Sequence, residues 1–568
     1  MERGISRRTF LRSAAATAAV AWLPAFRVAR ADASCPAPPA FPRNIELYRQ
    51  AYRNWAGDIA VDDVWTCAPS RAEQILLLAD WAAAYGYRLR AQGMRHNWSP
   101  LTIEPGSACE EILLVDTTQH LTGMTLLDGE PARVKVQAGA TMEELLGYLQ
   151  AAGLGMTTFP APGDVTVGGV LAIDGHGAAI PALGETRKSG HTYGSVSNMV
   201  LSLTAIVWDK RSGRYRLREF DRRDPACAAL LVNLGRAFIT EVTLQVGSND
   251  MLRCESFVDI PASELFASPG SGGRTFASVL EGSGRAEAIW FPFTEYPWVK
   301  VWTISDEKPA GARRVDGPYN YPFTDNIPAP LAELAGEIVR GNGHMTPTFG
   351  KMSYEVVRAG LLATSSMDLW GASKDVMLYV RPTTMRVTTS GSAVLARRSA
   401  IQQVLADFCA QYGRMVETYR QRGSYPMNMP LQLRVTGLDH PAEVEMNGAS
   451  PPLISSLAPR ADHPEWDVAI WFDALSFPGT PDANAFYQEL EEWMHQHFSG
   501  TTAVRPEWSK GWAYTGDGPW TRSEMLTSTI PDGFRARTRG WDEAIEILDQ
   551  LDPHRVFSNA FLDRLLRA

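Results

Sequence analysis

Ala91-Gln92-Gly93-Met94-Arg95-His96-Asn97-Trp98-Ser99-Pro100 follows a strand-like run, Tyr87-Arg88-Leu89-Arg90, and so falls where a strand gives way to a loop. Gly93 permits a turn or the close approach of a ligand, while Arg95, His96 and Ser99 add a charge, a nucleophilic nitrogen and a hydroxyl. A buried aromatic ligand carrying a diphosphate calls for that mixture. An ordinary polar loop shows the same residues, so a second stretch is needed, and it comes at Pro160-Ala161-Pro162-Gly163-Asp164-Val165-Thr166-Val167-Gly168-Gly169. Gly168, Gly169, Gly175 and Gly177 then bracket Val170 to Asp174, a spacing that lets backbone N–H groups converge on an anion. A glycine-rich tight turn is the rival reading. The dinucleotide fingerprint of doubly wound folds is absent, because no Gly-x-Gly-x-x-Gly here opens a helix with an acid some twenty residues later.

The bounds agree with an enzyme-sized globular chain. Its 568 residues exceed what one hydrophobic core serves, so two or three domains are expected. Hydrophobic content is 45% and charged content 21%, as in ordinary globular proteins. A net charge of −9 argues against nucleic acid or anionic membrane as the main partner, since both reward clustered Lys and Arg. Beyond the N-terminal segment, no apolar run has the length of a membrane span. Ser6-Arg7-Arg8-Thr9-Phe10-Leu11, an Ala-rich apolar run and Ala29-Arg30-Ala31 resemble a twin-arginine export signal spanning 1–31, which implies a bacterial protein, secreted or periplasmic. A basic amphipathic helix is the alternative. The six cysteines and ten histidines show no metal-ligand spacing, so neither a disulfide framework nor a structural metal is expected.

Along the chain, Ser70-Arg71-Ala72-Glu73 and Thr141-Met142-Glu143-Glu144 read as capping boxes opening helices, and Leu113–Asp116 and Val134–Gln137 as strands. Strands Met199–Trp208 and Ala237–Leu244 close an α+β domain over 42–248. From Asn249 the texture changes. Ala286–Phe291 and Trp298–Trp302 read as strands with one polar and one aromatic face. Lys308–Pro330 reads as a surface or lid-like loop, and further strands are expected at Val376–Val380, Leu431–Val435 and Val468–Phe472. Helices are expected over Ser399–Tyr412 and Pro481–Phe498. This gives a substrate domain over 249–500, an antiparallel sheet with helices, and a segment over 501–568 returning to the site.

Together the two glycine loops, the Asp174-Gly175-His176-Gly177 turn, the Gly194-Ser195-Val196-Ser197 strand approach and Thr240-Glu241-Val242 resemble the vanillyl-alcohol oxidase type of flavoprotein. The resemblance implies FAD held in a two-part α+β domain and carried covalently by His96 on the flavin 8α-methyl carbon. It also implies cofactor contacts from Gly93, Met94, Arg95, Asn97, Ser99, Pro162, Gly163, Asp164, Thr166, Gly168, Gly169, Gly175, His176, Gly177, Gly194, Ser195, Ser197 and Thr240. Some relatives add a cysteine linkage, but no cysteine lies between Pro160 and Asn198, so one bond is expected.

The export signal, the aromatic stretch Trp290–Trp298, Arg434–Asp439 and Trp508-Ser509-Lys510-Gly511-Trp512 are similar to the covalent-flavin type II cholesterol oxidases. That likeness implies oxidation of a sterol 3β-hydroxyl with molecular oxygen, release of hydrogen peroxide, and isomerisation of the Δ5-3-ketone to the Δ4-3-ketone. The isomerisation needs a carboxylate that collects and returns a proton. Glu287 is the first candidate, and Glu295, between prolines, a poorer one. Arg434 is the expected cation opposite the flavin and Lys510 a cation beside it; Asn559 and Asp473 are further candidates. Type II enzymes carry a glutamate two residues before this arginine, where this chain has Gln432. Transient contact with a lipid surface would supply the sterol. Oxidases of the same type acting on alditols, sugars or aldonolactones, and a non-catalytic flavin-binding protein, are the competing readings. The aromatic content of 290–302 and the retained Glu287, Arg434 and Lys510 weigh against both.

Overall fold

The computed structural model describes residues 36–107, 111–325, 327–379, 385–536 and 539–566; the expected export signal, Cys35 and Cys109 lie outside the described residues. Strands β1 (Glu46–Arg53), β2 (Ala60–Ala68), β3 (Arg88–Gln92) and β4 (Ile112–Asp116) form a small sheet in the order β1-β2-β4-β3. Helix α1 (Ala72–Tyr85) crosses between β2 and β3, and its buried Ile75, Leu78 and Ala79 pack with Leu89, Leu113 and Val115. The capping box expected at Ser70–Glu73 does not form: Arg71 is the N-cap, and Gln74 rather than Glu73 reaches back to the Ser70 N–H at 2.6 Å. The parallel β3–β4 pair leaves β3 at the edge, and its Leu89 N–H bonds the Val556 carbonyl at 2.8 Å. The His96 loop therefore departs from an edge strand sealed by the chain's own C-terminal segment.

A second, antiparallel sheet contains β5 (Met124–Leu127), β6 (Ala132–Gln137), β8 (Val200–Asp209), β9 (Arg214–Asp221) and β10 (Phe238–Ser248), in the order β5-β6-β10-β8-β9. The two-residue β7 (Leu154–Gly155) pairs with the end of β10. Helix α2 (Met142–Ala151) carries the expected capping box, Thr141 accepting from the Glu144 N–H and Glu144 from that of Thr141. The second glycine loop ends in the short α3 (Val167–Ala172), capped by Thr166.

The third sheet is the floor of the substrate half. It contains β11 (Met251–Phe257), β12 (Arg285–Trp290), β13 (Trp298–Ile304), β14 (Arg313–Arg314), β15 (Asp368–Ala372), β16 (Thr388–Ala396), β17 (Leu431–Gly437), β18 (Val468–Ser476) and β19 (Ala503–Pro506). Their order is β14-β15-β11-β13-β12-β17-β18-β16-β19. Period two sorts its side chains. Ala286, Ala288, Val299, Val301, Leu433 and Phe472 face a core covered by α7 (Ile401–Gln421) and α8 (Ala483–His497). The other face carries Glu287, Trp298, Lys300, Trp302 and Arg434. The expectation of one polar and one aromatic face is thus corrected: charges and aromatics share a face, and the opposite face is mainly aliphatic.

Three other expectations change. Val376 and Met377 end helix α6 (Ser373–Met377), tied by the Ser373 N–H to the Asp250 carbonyl, and Tyr379 makes a single β-bridge to Pro162, while Val380 lies outside the described residues; so short an apolar run cannot select a period by itself. Lys308–Pro330 is a surface loop only in its first half, where Lys308, Gly311, Arg313, Arg314 and Asp316 are exposed; Tyr321 and Phe323 are buried with Trp298 and Trp302 against α5 (Thr346–Ala363), ahead of α4 (Ala329–Val339), and line the cavity. Helix α7 runs past its expected stop at Tyr412, because Gly413 has open space around it and Met415 and Tyr419 continue the buried stripe.

The chain ends on the other half of the molecule. Helices α9 (Trp541–Leu551) and α10 (Ala560–Leu565) bury Trp541, Leu548 and Phe561 in the core of the second sheet. Fully buried Glu491 on α8 accepts the N–H groups of Ala513 (2.7 Å) and Tyr514 (3.1 Å), anchoring the loop that follows Lys510. Burial pushes this carboxyl up to about 7. Because the folded state then binds the proton more tightly than the unfolded one, its stabilisation is complete below about pH 4.5 and is lost as pH rises toward 7. Wild-type urea stability should therefore lose about 3 kcal/mol from this group between about pH 4.5 and above about pH 7, and Glu491→Gln, whose amide can accept only one of the two N–H groups, should be less stable near pH 4.5 but lack that fall.

Candidate active site

The two halves enclose one cavity of about 640 Å³, lined by both glycine loops on one side and the third sheet on the other. The His96 loop builds the first wall. Arg95 adopts a left-handed φ of 61°, uncommon for a residue with a side chain, and turns the chain so that its guanidinium bonds Gln50 and the Ala51 carbonyl. The His96 ring then stacks on Trp55, with centroids 5.4 Å apart, and meets the edge of Trp98. Its Nδ1 is buried, has no hydrogen-bond partner and stands 3.9 Å from Asp164. Desolvation, helped by Lys510 and Arg386, pushes its pKa down to about 3. The imidazole is therefore neutral at any working pH, with one nitrogen uncommitted.

This chemistry fits FAD. The orphaned nitrogen, the glycine-lined cavity wall and the aromatic rings around His96 suit a flat cofactor with a diphosphate. Gly93 is required here, because a Cβ would lie 2.3 Å from Thr166 Oγ1. Gly93, Met94, Arg95, Asn97, Pro162, Asp164, Thr166, Gly168, Gly169, Gly175, His176 and Gly177 all line the cavity with His96.

Six expected cofactor contacts lie off this wall, and each has a structural task that explains its pattern. The Ser99 N–H bonds the Ser509 carbonyl (3.2 Å), and Gly163 joins Tyr379 and Glu143 through its backbone. Gly194 packs tightly on Leu438 and Asp439, where a Cβ would clash. Ser195 donates to buried Asp439 through both N–H and hydroxyl, Ser197 to the Leu171 carbonyl, and Thr240 to the Thr204 carbonyl. Asn559 is corrected in the same way. Its side chain caps α10 and donates to the Pro100 and Leu101 carbonyls, so it fixes the His96 loop from behind rather than reaching the cavity.

Opposite stands a cross-strand ladder. Lys300 on β13 pairs in register with Glu287 on β12, Glu287 with Arg434 on β17, and Arg434 with Trp471 on β18. Directly opposed residues share a face, so charges alternate across the floor. Lys300 is surrounded by Trp298, Trp302 and Tyr321, with Nζ 4.7–5.6 Å from the ring centroids. His176 from the glycine turn stacks on Trp471 at 3.9 Å, joining the two walls. Glu295 lies on a turn outside the lining, its carbonyl accepting from the Ala262 N–H.

Gln432 supplies no carboxylate, yet Arg434 does not go without one. Asp473, directly across from Gln432 on β18, accepts from Arg434 at 2.7 Å, and Glu507, just after β19, lies 3.3 Å from the same guanidinium. Lys510 Nζ is 4.0 Å from Asp473 and sits 4.1 Å above Trp98. Gly391 leaves room for this packing, since a Cβ would press on both Lys510 and Asp473. Arg434 and Lys510 hold the Asp473 carboxyl well below the usual range, against its burial. Burial and neighbouring Asp473 push Glu507 up, from the ordinary 4.5 to about 8.

Glu507 and Lys300 escaped sequence reasoning. Glu507 stands three residues before Lys510, a signal that proximity alone offered. Lys300 lay in plain view between Trp298 and Trp302, where period two places all three on one face.

Comparison with known proteins gives a consistent picture. Residues 251–567 match the family described as cholesterol oxidase, substrate-binding, and residues 66–210 match an FAD binding domain. A solved solvent-stable cholesterol oxidase is 54% identical, with a TM-score of 0.92, covering 93% of this chain and 100% of its own. A cholesterol oxidase from Brevibacterium sterolicum is 46% identical, also with a TM-score of 0.92, over 94% of this chain and 99% of its own. A search of curated protein sequences finds no match.

Arg434 neutralises buried Asp473 and donates to Glu507, so removing it alone should be far worse than removing the charged pair. Arg434→Met should destabilise the protein by about 3–5 kcal/mol in urea titration near pH 7, and adding Asp473→Asn should recover most of that loss.

Proposed function

Because the chain belongs to the FAD-dependent cholesterol oxidases, we propose that its oxidation of cholesterol uses oxygen, that His96 tethers the cofactor, and that Glu287 serves a second step, isomerisation of the Δ5-3-ketone to the Δ4-3-ketone. The observation that carries this reading is the uncommitted neutral nitrogen of His96 facing the cavity whose far wall bears the Lys300–Glu287–Arg434 ladder. FAD held between His96 and the glycine loops would supply the hydride acceptor for the alcohol carbon and the route by which two electrons and two protons convert oxygen to hydrogen peroxide.

The chain's own residues do the rest. Ile289, Phe291, Trp298, Phe323, Phe349 and Val357 line the substrate half with apolar surface that excludes water and matches a fused-ring hydrocarbon. Polar side chains such as Tyr319, Thr324 and Ser353 are outnumbered by apolar ones in this half, which favours a fused-ring hydrocarbon over an alditol or sugar. Neutral His96 retains the lone pair a covalent bond requires, and stacking on Trp55 orients it. Glu287 takes the proton from C4 of the bound ketone and returns it at C6. Lys300 and Arg434, one strand away on either side, stabilise the negative charge that collects on the ketone oxygen meanwhile. The sterol comes from a lipid surface by transient contact. The 1–31 segment supports export by the twin-arginine route to the periplasm or beyond.

Two measurements test this reading. Acid-precipitated protein should stay yellow in the pellet, whereas His96→Ala should give a colourless pellet and a yellow supernatant. Glu287→Gln should slow formation of the conjugated enone by about 100-fold while slowing ketone formation far less, so that the unconjugated ketone accumulates. Equal loss of both steps would remove Glu287 from the second one. An oxygen electrode with cholesterol, paired with a peroxide assay, tests the acceptor.

A further inference from the structure

We propose that Glu507, held beside Asp473 by Arg434, is the base that takes the hydroxyl proton of the alcohol as the carbon-bound hydrogen departs. The geometry is that of two carboxyls arranged around one proton. Arg434 Nη1 binds Asp473 Oδ2 at 2.7 Å, and its Nη2 lies 3.3 and 3.4 Å from the two Glu507 oxygens. The carboxyls are within hydrogen-bonding reach of each other. Asp473 Oδ1 is buried and receives no donor. A proton on Glu507 is the group that would satisfy it, since two ionised carboxylates cannot bond each other.

Placement singles out Glu507 among the acids. The Ser509 carbonyl accepts the Trp98 N–H at 2.9 Å, and the Lys510 N–H bonds the Glu507 carbonyl at 2.9 Å. The loop carrying Glu507 is therefore stapled to the His96 loop, and Glu507 lines the cavity. Glu287 is separated from β18 by the whole of β17, about 10 Å across the sheet, which suits a different atom of the substrate. His176 is the weaker base: its Nδ1–H donates to the Gly177 carbonyl, and burial pushes its pKa down to about 3, so the remaining Nε2 holds a proton poorly.

The balance is simple. The alcohol C–H pair leaves as hydride to the cofactor, the O–H bond breaks, a C=O bond forms, and the proton completes a carboxyl O–H on Glu507. A base must be ionised to act, and one that titrates near the working pH combines a usable ionised fraction with a strong pull on the proton. Desolvation and Asp473 raise Glu507, while Arg434 and Lys510 oppose them. Asp174 and His176 on the glycine turn and Glu287 on β12 complete the titratable groups around this cluster. Asp473 is a positioning residue, buried and acting through Glu507. This assignment rests on alcohol oxidation alone, not on the oxygen, tether or isomerisation readings.

The test uses the full-length holoenzyme under anaerobic conditions. Bleaching of the flavin by cholesterol should rise with pH and level off above about pH 8; Glu507→Gln should lower the plateau by about 100-fold and flatten the profile. Asp473→Asn removes a charge that raises Glu507, so its break should move at least about one unit toward acid. A readout independent of turnover is the infrared band of a protonated carboxyl. Read as the wild-type minus Glu507→Gln difference, so that Glu491 and Asp174, which burial also raises, cancel, it should vanish between about pH 7 and about pH 9, and at lower pH when Asp473→Asn is the background of both spectra. A Glu507→Gln rate within about threefold of wild type, a break indifferent to Asp473→Asn, or no such band would each overturn the assignment. A failed peroxide assay or a colourless acid pellet would leave it standing.

Discussion

The structure depends on burying the Arg434 guanidinium at the seam between the two halves of the molecule. An ion so deep in protein survives only if its partners are close and their remaining valences are met. Asp473 and Glu507 supply the partners. Asp473 stands on β18 and Glu507 just past the end of β19, on either side of β16, so the charge also sets how β17, β18 and β19 stand relative to one another. The cost of desolvating the Arg434–Asp473 pair is offset locally by attraction. What is gained is a fixed positive charge facing the cavity, where carbonyl and alkoxide character develop during alcohol oxidation.

Around that point short polar and aromatic links join the two walls, beside the core that Leu378, Ile454 and Trp508 share with the second sheet. His176 reaches from the glycine turn to stack on Trp471, and Ser195 reaches Asp439 at the exit of β17. The 507–510 loop bonds the His96 loop, and Asn559 braces the same loop from the C-terminal helix. Each link joins distant parts of the chain. Several residues that resemble cofactor contacts in sequence are therefore fasteners of the cofactor's container.

Gln432 gives the arginine no acid on its own strand, and cross-strand register puts Asp473 of β18 directly opposite it, within reach of the guanidinium. Asp473 and Glu507 then share one cation. Arg434, through its shorter bond, and Lys510 hold Asp473 down against burial, whereas burial and Asp473 itself push Glu507 up against the same two cations.

Much of the fold was legible because local physics sufficed. The Thr141–Glu144 capping box, the long apolar strands β8 and β10 and the alternation in β12, β13 and β17 follow from backbone valence and period two. The glycine loops marked one cavity wall because only glycine tolerates such close approach. Short or mixed signals misled: the apolar run at 376–379 begins in a helix, the proline-rich segment from Lys308 turns inward at Tyr321 and Phe323, and Lys300 shares a face with its tryptophans. By itself the sequence determined the class of fold, the His96 loop and the charged residues available for chemistry. Only tertiary structure decided that Glu507 and Asp473 meet on Arg434, and that Asn559, Ser195 and Thr240 are braces. Which side chains share a desolvated cation depends on strand order and register, and neither is written in any local stretch of chain.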